Sequence, residues 1–147
     1  MRRFILALCA VLLGGTALLA QNRADDIIGV YSSGTGRDAY KVRITKLSDG
    51  TYKGAVCWVA DKYDASGNVY TDVNNPDRSL RSTPIDQVVI FSGLKFYPNK
   101  NNWGGTKIYD PKRGIRVNVT ISFENARTLK VRGSVLGIGE TETWIKE

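Results

Sequence analysis

Thr106-Lys107-Ile108-Tyr109-Asp110-Pro111-Lys112-Arg113-Gly114-Ile115-Arg116-Val117-Asn118-Val119 reads as a hairpin. The segment Asp110–Gly114 suits a four-residue loop with its glycine in the left-handed region. That loop sets Asp110 opposite Ile115, Ile108 opposite Val117 and Thr106 opposite Val119. One face is then apolar, while Lys107 and Tyr109 share the other with Arg116 and Asn118. A slip of one residue would exchange the faces, so the pattern fixes register as well as element.

Working outward, the same alternation continues in both directions. Gly104 falls opposite Ile121. A three-residue loop at Glu124–Ala126 pairs Ile121 with Leu129, Val119 with Val131 and Val117 with Gly133. A turn at Gly137–Gly139 then pairs Val131 with Ile145 and puts Trp144 outside, opposite Arg132. Eight strands are predicted: Gly29–Ser33, Ala39–Lys46, Tyr52–Val59, Gln87–Phe96, Trp103–Asp110, Ile115–Phe123, Thr128–Leu136 and Glu140–Lys146. Turn residues separate them at roughly eight to twelve positions, the spacing of a sandwich or barrel. The hairpin at Leu47–Thr51 admits two registers. An Asp49-Gly50 loop turns Cys57 inward with Val42; a three-residue loop ending on Gly50 turns Val56 and Trp58 inward with Val42 and Tyr40. The second is preferred, because tryptophan fills an interior better than it coats a surface.

Strand Gln87–Phe96 is apolar on both faces, so its outer face is expected under the long segment Ala60–Ile85. One short helix is expected there, capped by Asn75, with Pro76 first and Asp77 in the first turn. It should end near Arg81, since Pro84 forces Thr83 to be extended. The predicted fold is all-β: an eight-stranded antiparallel up-and-down barrel with one short helix in its long loop. At eight strands the interior holds side chains or one small ligand.

Met1-Arg2-Arg3, the apolar run Phe4–Leu13 and a small residue at Ala20 before Gln21 make a secretory signal over residues 1–20. Phe4–Ala20 is 17 residues with two central glycines, short of the roughly 20 needed to span a bilayer. Ala17 is a second possible cleavage point. Leu8 before Cys9 argues against lipidation. Residues 21–147 then form a single barrel domain, periplasmic or secreted, without stable membrane insertion after cleavage, as a monomer or weak oligomer. Arg2 and Arg3 leave with the signal, so 21 basic residues become 19 against 14 acidic ones, a net charge of +5. No run of four basic residues marks a nucleic-acid site. The mature chain keeps one cysteine, Cys57, which excludes an intramolecular disulfide. Histidine is absent, which removes Ser-His chemistry and most zinc or copper sites. Neither a metal nor a cofactor is expected. Aspartates and asparagines crowd Asp61–Asp77 without calcium-loop spacing, which suits turn chemistry instead.

Several segments carry a resemblance: Asp26-Ile27-Ile28-Gly29-Val30-Tyr31, Thr71-Asp72-Val73-Asn74-Asn75-Pro76-Asp77, Leu80-Arg81-Ser82 and Ser92-Gly93-Leu94-Lys95. To these are added Trp103–Pro111, Leu129-Lys130-Val131-Arg132-Gly133 and Thr141-Glu142-Thr143-Trp144. In this order they resemble the exported bacterial family known as domain of unknown function 2147, from about Asp25 to the C-terminus. The resemblance implies a lipocalin-like calycin barrel that binds a small, largely apolar ligand, with no established catalytic residues. Tyr31 stands where members more often carry tryptophan, and Lys146 where many carry arginine.

Candidate ligand-binding residues are Tyr40, Trp58, Arg81, Phe91, Trp103, Val119 and Val131. The aromatics either line a pocket or fill the core. Arg81 either meets a ligand anion or bonds within its own loop, and the second is favoured. Cys57 has no base to activate it. The function expected is binding of a small apolar or amphipathic ligand. A non-catalytic structural or interaction module of the cell envelope, with a solid barrel, is the alternative, and an enzyme comes third.

Overall fold

Inward apolar and outward polar side chains alternate along most of β1 (Gly29–Ser33), β2 (Tyr40–Lys46), β3 (Tyr52–Val59), β4 (Val89–Tyr97), β5 (Asn102–Gly104), β6 (Lys107–Asp110), β7 (Ile115–Asn125) and β8 (Thr128–Val135), and less regularly along β9 (Ile138–Lys146). The computed structural model describes residues 21–147, so the expected signal segment lies outside the described residues. All pairings are antiparallel, in the order β5-β4-β3-β2-β1-β9-β8-β7-β6, and Trp103 paired with Ile121 closes the sheet on itself. β5 and β6 are halves of one strand. They are interrupted at Gly105, whose φ of 78° suits only glycine and whose absent side chain leaves space for the Tyr97 hydroxyl. The result is a closed eight-stranded barrel.

The hairpin that opened the sequence reading has its expected register: Asp110 faces Ile115 and Ile108 faces Val117, with Gly114 left-handed at φ 65°. At β7–β8 the turn is Ala126-Arg127, not Glu124–Ala126, and Val131 faces Ile121 instead of Val119. That is a shift of two residues, so every face is preserved. At β8–β9 the turn is Leu136-Gly137 and Val131 faces Glu142 instead of Ile145. That shift is three residues, and an odd shift flips the strand. Trp144, expected outside, is therefore buried inside at 1% exposure.

A similar correction applies to Trp58. The favoured three-residue loop Ser48–Gly50 forms, and Val56 turns inward opposite Val42. A bulge between Lys41 and Val42 then accommodates the extra residue Cys57, so Trp58 swings out and Val59 swings in. Trp58 is 46% exposed, with the Lys41 ammonium 5.6 Å from its ring centroid.

One end of the barrel is plugged. A single 3-10 turn, Ala24–Ile27, inserts a fully buried Ile27 and ties itself to the wall. The Tyr31 hydroxyl donates to the Ile27 carbonyl at 2.9 Å, and Trp103 Nε1 donates to the Ala24 carbonyl at 3.1 Å. The Tyr52 hydroxyl donates to Asp25 Oδ1 at 2.5 Å. Above this plug Trp103 packs on Phe96 and Phe123, with ring centroids 4.7 and 5.7 Å away.

The long segment covers the outside, where β4 and β6 diverge. Its helical turn is shorter than expected, Arg78–Leu80, and is capped by Asp77 instead of Asn75. Four further 3-10 turns occur among the described residues, at Ala24–Ile27, Gly36–Asp38, Ile85–Gln87 and Pro98–Lys100. Asn75 serves a buried network: its Nδ2 donates to Asp72 Oδ2 at 2.8 Å, and the Tyr109 hydroxyl donates to Asp72 Oδ1 at 2.7 Å. Tyr109 is on the outer face as expected, yet the loop buries it. Burial, and then its bond to Asp72, push the Tyr109 phenol well above its ordinary pKa, so it remains a donor.

The register yields a direct test. Val117 points inward toward Gly133 and is half-buried, while its neighbour Asn118 is exposed. Val117→Asp is expected to lower the melting temperature by roughly 5–10 °C through desolvation of an unpaired carboxylate, and Asn118→Asp by less than about 2 °C. Equal shifts in thermal denaturation would place β7 one residue out of register.

Candidate functional site

At the end opposite the plug, the inward side chains no longer bury one another completely. Trp144 forms the floor, stacked with Phe91 across the barrel at 6.4 Å between ring centroids and 16° between planes. Above it Tyr40, Val59, Ile108 and Val117 are half-buried around the mouth. Register places Tyr40 opposite Val59, and Ile108 opposite Val117.

A short polar relay crosses this layer. Trp144 Nε1 donates to the Tyr40 hydroxyl at 3.1 Å, and that hydroxyl donates to Glu142 Oε2 at 2.5 Å. Glu142 shares the inner face of β9 with Trp144, directly opposite the buried Val131. Burial first, and the Glu142 carboxylate second, raise the Tyr40 phenol far above its ordinary pKa, so it stays protonated.

Two loops meet over the mouth. In the eight-strand ring β1 and β2 lie diametrically opposite β6 and β7. Their connections are nevertheless joined, Lys112 Nζ lying 2.9 Å from Asp38 Oδ1. Arg37 anchors the same β1–β2 loop to Asp61 at 3.0 Å. Arg113 Nε holds Asp110 at 2.7 Å, and its Nη2 reaches Glu140 at 3.5 Å. The hydrogen bond from Lys112 holds the Asp38 carboxyl below its usual pKa, so the strap persists at neutral pH and is lost as acid protonates Asp38.

The structure scatters the residues singled out from the sequence. Phe91, Trp103, Val119 and Val131 are all core, at 1%, 0%, 3% and 3% exposure. Of these, Phe91 lies next to the mouth floor, whereas Trp103 sits at the plugged end. Tyr40 is at the mouth. Trp58 is on the outer surface, where it faces away from any lumen. Arg81 Nε donates to the Asn75 carbonyl at 2.7 Å, which is the within-loop role. Sequence reasoning missed Glu142 and Trp144, because charged residues at alternate positions of β9 look like an outer face. The true turn, Leu136-Gly137, is left-handed at both residues, at φ 52° and 78°, and leucine rarely takes that conformation, so the sequence carries little signal for it.

Two shallow grooves lie on the outside of the barrel. One, of about 450 Å³, is a groove lined by Arg43, Lys53, Cys57 and Gln87 among others. The other, of about 390 Å³, lies by the plug between Asp25, Phe123 and Lys146. Buried side chains fill the barrel from the plug up to Trp144, and the half-buried mouth layer lies above them.

The fold is shared with a solved structure titled as a lipocalin-family protein, HP1028 from the human pathogen Helicobacter pylori. The TM-score is 0.67 and the identity 22%, over 82% of each chain. No curated protein matches the chain. The model of one family, described as an uncharacterized protein conserved in bacteria, matches residues 29–146, from β1 to the last residue of β9. With the whole barrel inside that match, the chain belongs to this bacterial family, DUF2147, and its fold is lipocalin-like.

Proposed function

We propose that the chain is an exported, non-catalytic binding protein, periplasmic or secreted, that holds a small apolar or amphipathic molecule at the mouth of its barrel. The observation that carries this reading is the half-exposed apolar ring of Tyr40, Val59, Ile108 and Val117 above Trp144, at the open end of a barrel plugged at the other. Because Phe91 and Trp144 block the middle, the guest sits about one side-chain layer deep beneath the Lys112–Asp38 strap. Apolar walls with few polar groups are the usual composition of small-molecule sites. The lipocalin-like fold supports the same reading, and the basic, apolar start of the chain supports export.

A second reading, a solid interaction module of the cell envelope, is favoured by the filled lower barrel and by the hairpin tip. There Leu136 and Ile138 are 96% and 83% exposed. One experiment separates the two. Protein recovered from the extracytoplasmic fraction of producing cells is expected to begin at Gln21. Titrated with the uncharged fluorophore N-phenyl-1-naphthylamine, it should bind saturably with Kd below about 100 μM, some −5.5 kcal/mol. Ile108→Glu should weaken binding about tenfold, and Trp58→Ala should leave it unchanged. Absence of saturable binding in wild type would transfer the case to the interaction module. A retained Met1 would end the export proposal.

A further inference from the structure

The hydrogen-bonding capacity left in the mouth is one-sided. The indole N–H of Trp144 is consumed by Tyr40, and the phenol O–H of Tyr40 is consumed by Glu142. What remains at the rim is the exposed carboxylate of Glu142, which only accepts and has one oxygen free of Tyr40. The other rim charges are matched: Lys112 with Asp38, Arg37 with Asp61, and Arg113 with Asp110 and Glu140. Among the described residues no lysine or arginine forms an ion pair with Glu142. Its partner is a neutral phenol. A negative charge thus stands at the edge of an apolar, aromatic cup without a compensating cation.

From this we infer that the guest is cationic: an amphipathic amine whose ammonium group donates to Glu142 and whose apolar body rests against Tyr40, Val59, Ile108 and Val117. The inference rests on the binding reading above and specifies the head group of that same ligand. Three chemical facts agree. A charge-assisted bond to a carboxylate is about twice as strong as a neutral one. An ammonium is also attracted to the face of a tyrosine ring, and the half-buried Tyr40 stands beside Glu142, to which its hydroxyl donates. An anionic head group, by contrast, meets no free cation here, because Arg81 is bonded inside its own loop.

Dodecylamine, dodecanol and dodecanoate, each displacing N-phenyl-1-naphthylamine at pH 7, share one tail and differ in head group. The amine is expected to bind wild type about tenfold more tightly than the carboxylate, with the alcohol between them. Glu142→Gln, close to isosteric, should bring the three within about threefold of one another. Glu124→Gln, altering an exposed carboxylate by the β7–β8 turn at the plugged end, should preserve the order. Equal binding of the three by wild type, or a preference for dodecanoate, overturns the cationic guest and leaves mouth binding standing. A preference for the amine that survives Glu142→Gln overturns it as well. Failure of all three chains and of the fluorophore removes the binding reading itself.

Discussion

Trp144→Ala should lower the stability of residues 21–147 by about 3–5 kcal/mol, the usual cost of removing a buried large aromatic. Trp144 is 1% exposed, stacks on Phe91, meets Tyr40 edge-on and donates its indole N–H to the Tyr40 hydroxyl. Its loss would leave a cavity at the middle of the barrel and free the hydroxyl. The matching control is Trp58→Ala. That ring is 46% exposed and gains little beyond the Lys41 ammonium, so its removal should cost less than about 1 kcal/mol. Urea denaturation of both variants is the measurement. If the two costs exchange, Trp144 lies outside, and the three-residue shift at β8–β9 is wrong.

The second large effect belongs to Asp72→Ala, with an expected loss of about 2–4 kcal/mol. The substitution strands two buried donors at once, the Tyr109 hydroxyl and the Asn75 amide, and each pays its full desolvation penalty. Tyr109→Phe strands one acceptor, Asp72 Oδ1, while Oδ2 keeps its bond from Asn75, and should cost about 1–3 kcal/mol. A double-mutant cycle between the two positions should show coupling of about 1 kcal/mol. Strict additivity would mean that the Tyr109–Asp72 bond does not help to hold the long loop. Limited proteolysis between Asp61 and Gln87 offers a local readout, because the freed loop should be cut before the barrel unfolds.

The barrel was legible because its hairpins are. Asp110-Pro111-Lys112-Arg113-Gly114 specifies both loop and register, and Ser48-Asp49-Gly50 does so once tryptophan is assumed to seek the interior. That assumption then misplaced Trp58, since a bulge leaves no mark in local composition when Cys57, Trp58 and Val59 are all apolar. At β9 the reverse happened. Glu140 and Glu142 share a face with Trp144, so polarity pointed outward at a strand whose upper half opens on solvent. The mouth was illegible for that reason: a site where water and apolar walls meet breaks the alternation that defines the rest of the barrel. Arg81, by contrast, was readable as a loop brace, because a charged side chain in an ordered loop usually finds its partner there.

The pairing of β1 with β9 joins Tyr31 to Lys146 and Ser32 to Ile145, nearly the full length of the described chain apart. In a polypeptide that emerges N-terminus first, β1 to β4 can pair in succession as a meander, but β1 keeps one bare edge until the final strand arrives. Closing so long a loop is entropically expensive and slow. The barrel therefore cannot close until β9 is available to pair with β1. Until then β1 presents an exposed strand edge, the kind of surface that invites pairing with another chain.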